Sequence, residues 1–97
     1  MHAHIDFESF SAVNLKTAGL DKYARDYRTG IYCMAWAFDD EAPQIWLPGQ
    51  QPPEALVAHI LAGGVLVAHN AAFERKIWEH QMGKHGWPIP RLEQYQC

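Results

Sequence analysis

Two carboxylates two positions apart, Asp6 and Glu8 in HAHIDFES, and a third, Glu74 in VLVAHNAAFER, are the side chains whose types and spacing suit metal chemistry in this 97-residue sequence. In an extended segment successive side chains alternate between faces, so Asp6 and Glu8 share one face at about 6–7 Å, with Ile5 and Phe7 on the other. Such a pair suits a hard cation. Magnesium takes oxygen ligands, keeps several waters, and is commonly held by one or two carboxylates together with substrate phosphates. The same alternation also describes an ordinary solvated strand face, so the pair gains meaning only if a further acid can reach it. Asn70 stands where an apolar run gives way to helical spacing, a position where Asn is a favoured cap, and Glu74 falls about one turn inside that helix. A glutamate there complements the helix dipole without any metal. It meets Asp6 and Glu8 only if the strand ending near His69 lies beside the first one.

Other chemistries lack their patterns. Six histidines show no HExxH spacing, and Cys33 and Cys97 lie far apart with no CxxC, which argues against a zinc site and for two reduced thiols. Gly63-Gly64 reads as a helix stop, because no GxGxxG or GKS/T run accompanies it. Trp36, Trp46, Trp78 and Trp87 are widely spaced among apolar neighbours and read as packing residues.

The elements that must position the three acids follow from periodicity. HAHIDFES is the first strand, and LDKYARDY is a short helix with Asp21 near its start. IYCMAWAF and QIWLP, separated by DDEAP, read as a hairpin. Pro53 suits a first helical turn, and Leu56, Val57, Ile60 and Leu61 then form one face up to Gly63-Gly64. VLVAH is a continuous apolar run, expected to be a central strand covered on both faces. It leads into NAAFERKIWEHQMGK, where Phe73, Ile77, Trp78 and Met82 have helical spacing. HGWPIPR is a proline-punctuated loop, and LEQYQC begins a further element. This order predicts an α/β fold: a mixed sheet flanked by helices, with the first and fourth strands parallel and adjacent.

Size and charge set the bounds. With 48% hydrophobic and 20% charged residues, 1–97 is expected to be a single globular domain. No apolar run approaches a membrane span, and the N-terminus lacks the build of a signal peptide, so a cytoplasmic location in a bacterium or phage-infected host is expected. A net charge of −3 and scattered basic residues give no global attraction to nucleic acid. Any such partner must be held locally.

IDFES, followed by GGVLVAHNAAFERKIW, resembles the first two motifs of the DEDD superfamily of 3′–5′ exonucleases, in particular the phage-type proofreading domain of family A DNA polymerases. LKTAGLDKYARDYRTGIYCMAWAFDD and QIWLPG are similar to the same subgroup, so the likeness covers nearly the whole chain. The resemblance implies a ribonuclease H-like fold and two-metal hydrolysis, with Mg2+ or Mn2+, at the 3′ end of single-stranded DNA. It implies that Asp6 ligates both metals, Glu8 the metal that activates water, and Glu74 fills the place of the second motif's acid, where most of the superfamily has aspartate. Asn70 would orient the strand–helix junction or touch substrate. Phe73 would pack in the core or offer its ring to a base, and Ser9 would meet the terminal nucleotide through its amide. The family's third motif, a Tyr or His and a final aspartate, lies beyond Cys97. His85 and Tyr95 are the residues that could be asked to replace its water-positioning group. The expectation is therefore a partial exonuclease domain, truncated before the C-terminal helices and inactive or weakly active alone, with a polymerase domain or the missing C-terminal segment as partner. Two other readings stay open: a non-catalytic remnant binding polymerase or single-stranded nucleic acid, and an exonuclease on RNA or short oligonucleotides completed by another subunit.

Overall fold

The computed structural model describes all 97 residues. Strand β1 (His2–Phe10) carries the alternation read in the sequence: Ala3, Ile5 and Phe7 are buried, while His2, His4, Asp6 and Glu8 are exposed. Two short helices follow, α1 (Leu15–Ala18) and α2 (Leu20–Arg25). The first is a single turn closed by Asn14, whose side chain accepts from the Lys16 N–H, too brief to show a periodic face.

Strand β2 (Gly30–Phe38) pairs antiparallel with β1, setting Asp6 opposite Ala35 and Glu8 opposite Cys33, with an irregularity between Glu8 and Ser9. Strand β3 (Gln44–Trp46) completes the expected hairpin. Pro53 caps helix α3 (Glu54–Leu61), which leads to β4 (Val65–Val67), parallel to β1 with Val67 opposite His4. Helix α4 (Ala71–Ile77) comes next, and β5 (Tyr95–Gln96) pairs parallel with β4. The sheet order is β3-β2-β1-β4-β5. This is the mixed α/β sheet that the sequence predicts, with β1 and β4 adjacent and parallel, and it is consistent with a ribonuclease H-like core.

One cluster holds the core. Ile5, Phe7, Met34, Trp36, Trp46 and Leu66 from the sheet meet Tyr23, Leu56, Ile60, Ile77 and Trp78 from the helical segments. Edge-to-face rings tie the layers together: Phe7 on Trp78 at 5.8 Å between centroids, Trp78 on Trp87 at 5.3 Å, and Trp87 on Trp46 at 5.4 Å. The four tryptophans are packing residues, as their spacing suggests, and all four are buried.

Three expectations need correction. VLVAH is an interior strand by hydrogen bonding, yet only Leu66 and Ala68 are fully buried, and Val65 and Val67 are half-buried, so it is well covered on one face only. On α3, Leu61 is 71% exposed and His59 takes an inward place instead. Its Nε2 lies 2.8 Å from the Val65 carbonyl, and its ring fills the space over Gly64, where any Cβ would stand within 2.5 Å of it. A polar tip with a hydrogen-bond partner can be buried where an unbranched hydrophobicity pattern would not place it. Finally, the helical segment after Asn70 is not α throughout. Trp78–Met82 forms a π turn and Gly83–His85 a 3-10 turn. The wider turn lets Trp78, Gln81 and Met82 all face inward, with the Gln81 amide donating to the Ala24 carbonyl at 2.7 Å. No helix is long and apolar enough to cross a membrane.

Candidate functional site

The unequal lengths of two neighbouring strands create the site. β4 pairs with β1 only as far as His4, and the Ala68 N–H then turns to the Gln96 carbonyl on β5 at 2.8 Å. β1 continues to Phe10, so beyond His4 its edge on that side has no strand partner in β4. A buried backbone donor without a partner costs free energy comparable to a lost hydrogen bond. Helix α4 answers for Phe7. The Phe7 N–H donates to Glu74 Oε2 at 3.2 Å, across 67 residues of sequence.

Glu74 is therefore held against β1 at Phe7, next to Asp6. Asn70 sets the approach, its Oδ1 accepting from the Phe73 N–H at 3.3 Å to cap α4. Glu74 is only 4% exposed. Burial pushes its carboxyl up to about 7; the Phe7 N–H opposes the rise and the charge of Asp6 adds to it. Two acids thus sense each other at the carboxyl end of the parallel strand pair, where ligands of open α/β sheets are commonly bound. Asp6 also borders a shallow groove of about 190 Å³ on the exposed sheet face, with His4, Ala35, Ala37 and Pro43 around it. Glu8 lies two positions along β1 on the same exposed face as Asp6.

The donor set is all oxygen and suits a hard cation. No three His, Cys, Asp or Glu side chains converge as a ligand group, so what the fold assembles is the pair Asp6–Glu74 with Glu8 farther along the strand.

The remaining sequence-derived candidates fall in distinct places. Ser9 is half-buried, its Oγ 3.0 Å from the Tyr23 hydroxyl. Asn70 is exposed and acts as the helix cap. Phe73 is half-buried against the core, its ring 6.2 Å from that of Tyr23. Phe7 is a core residue, whereas Phe10 is 42% exposed. His69 is exposed. Cys33 and Cys97 are free thiols.

Neither residue considered as a replacement for the third motif stands with the acids. His85 lies edge-on to Trp46 at 5.5 Å and lines a polar cleft of about 410 Å³ with Gln50, Gln51 and Lys84. Burial, with Lys84 nearby, lowers its pKa. The Tyr95 hydroxyl is buried without a hydrogen-bond partner, and burial, together with the charge of Glu79, raises its pKa. The charged groups it senses are Glu79 and Arg75, not Asp6 or Glu74.

Over 74 residues the chain is 39% identical to a DNA polymerase of Bacillus phage SP02, a match that takes in 73% of this chain and 11% of that polymerase. The chain is thus related to a phage DNA polymerase and spans only about a tenth of its length. No protein-family model and no solved structure matches it.

Proposed function

We propose that this chain supplies the first two acidic motifs of a metal-dependent 3′–5′ exonuclease site of the proofreading type, working within a phage or prophage DNA polymerase system. One observation carries the reading: the Glu74–Phe7 hydrogen bond, which holds an acid from the start of α4 against β1 at the residue after Asp6. The partial likeness to a phage polymerase supports the same reading independently.

In this reading Asp6, Glu8 and Glu74 hold Mg2+ or Mn2+. A pair of such cations, when bound, stabilises the attacking and leaving oxygens of an in-line phosphodiester displacement. The Phe7 N–H fixes Oε2 of Glu74 and leaves Oε1 for ligation, so backbone geometry sets where that carboxylate points. Burial makes the charged form of Glu74 costly, and Asp6 makes it costlier. With a cation bound, Glu74 would be held in its charged form and would give up its proton. Asp6 and Glu8 face solvent on one side of β1, where a single-stranded 3′ end can reach them.

Manganese titration calorimetry on the wild type, Asp6→Ala and Glu74→Gln tests the site. The wild type should give a saturable binding heat that each variant loses or weakens at least tenfold. Equal heats from all three would overturn the metal site and leave a non-catalytic module binding polymerase or nucleic acid.

A further inference from the structure

The same strand that carries the acids ends in exposed aromatic rings. Phe10, the last residue of β1, is 42% exposed, and Tyr32 on β2 is 63% exposed, with ring centroids 4.7 Å apart. Gly30, opposite Phe10, makes this possible: a Cβ there would stand 2.4 Å from Cζ of Phe10, so the ring lies directly over the glycine backbone. Cover for Gly30 accounts for where the Phe10 ring lies. It does not account for a second aromatic, Tyr32, set against it in the open. Tyr27, 90% exposed, stands in the turn leading into Gly30 with the Arg28 guanidinium 5.6 Å from its ring centroid, and Arg28 is itself held by a two-point contact with Asp26. Two exposed aromatics therefore meet at one end of the β1–β2 pair, and the turn leading into β2 carries a third with an oriented guanidinium.

We propose that Phe10 and Tyr32 form a stacking platform for the bases of a single-stranded nucleic acid whose end lies at Asp6, Glu8 and Glu74. The inference rests on the exonuclease reading of those acids. Bases stack on aromatic faces whatever their sequence, as an enzyme trimming any 3′ end requires. The chain carries a net charge of −3, which gives no general attraction to phosphates, so contact with the bases supplies affinity that long-range charge does not. Phe10 lies four residues past Asp6, about 13 Å along an extended strand, so a strand with its end at the acids passes over the rings. The platform sets grip and direction, and the acids do the chemistry.

The test compares two labelled oligonucleotides of equal length, one of thymidine and one abasic, by fluorescence anisotropy with calcium present and again with a chelator. The ratio of their affinities isolates base contacts, because phosphates and any bound cation act on both alike. The wild type should prefer the thymidine strand by about tenfold or more. Phe10→Ala with Tyr32→Ala should bring the ratio close to one, with circular dichroism unchanged because both rings are exposed. Asp6→Ala should leave the ratio intact, which separates failure of the platform from failure of the metal site. Equal affinity of the wild type for both strands, or a ratio unchanged in the double variant, would overturn the platform. So would concentration-dependent self-association that the double variant abolishes without any effect on oligonucleotide binding, since the rings would then serve a second copy of the chain.

Discussion

Glu74 shows how one residue can serve two demands that pull against each other. Its carboxylate satisfies the Phe7 N–H, yet its burial and the neighbouring Asp6 favour the protonated form, with a pKa of about 7 in place of an ordinary 4.5. Because the folded-state value is raised, the folded state binds the extra proton between those two values. The stabilisation is full below pH 4.5, falls as pH rises to about 7, and is lost above that. The shift corresponds to roughly 3 kcal/mol in the metal-free protein. Glu74→Gln keeps an oxygen for the Phe7 N–H and removes the proton linkage. Urea unfolding in chelator at pH 5 and pH 8 should show the wild type losing about 2.5 kcal/mol more than the variant between the two conditions. Equal losses would mean that Glu74 is solvated and not held against β1.

At the scale of elements, the register of α4 on the sheet depends on Trp78. Its ring is fully buried, stacks edge-on with Phe7 of β1, and donates from Nε1 to the Pro88 carbonyl at 2.9 Å. It therefore ties the helical segment both to the acid-bearing strand and to the proline loop beyond. Trp78→Ala should cost about 3–5 kcal/mol by leaving a cavity and stranding a carbonyl. Thermal unfolding checks it, and an unchanged midpoint would show that the ring does not hold the helix to β1. Trp78→Phe should recover most of the packing while losing the hydrogen bond, a smaller deficit that separates the two contributions.

The molecule as a whole positions a pair of acids more firmly than a complete metal-binding group. Glu74 and Asp6 are brought together, Glu8 lies farther along the strand, and no three potential ligands converge. Cations held too loosely cannot align an attacking water against phosphorus. The 97-residue chain alone should therefore trim a 5′-labelled single strand slowly or not at all in magnesium or manganese. Fused to the segment that follows the matched region in the phage polymerase, it should trim efficiently, and Asp6→Ala in the fusion should abolish the gain. Robust trimming by the short chain would show that its acids suffice or are completed by another subunit. A silent fusion would favour a non-catalytic module.

Local patterns in the sequence were enough for much of this. Alternation placed Asp6 and Glu8 on the exposed face of β1, Asn70 announced the start of α4, and the strand–helix order required β1 and β4 to lie side by side. These features depend on neighbours a few residues away, whose periodicity is written in the chain. Tertiary structure decided the rest. His59 turned inward and Leu61 outward because a carbonyl on β4 and the bare face of Gly64 were available to an imidazole. The π turn at Trp78 answered to the Ala24 carbonyl, which no spacing within the helix reveals. The exposure of Phe10 depended on Gly30 across the sheet. Above all, Glu74 reached β1 beside Asp6 because β4 stops short of β1 and leaves the Phe7 N–H without a strand partner. A backbone donor seeks the acceptor that folding brings nearest, and here that acceptor came from 67 residues away.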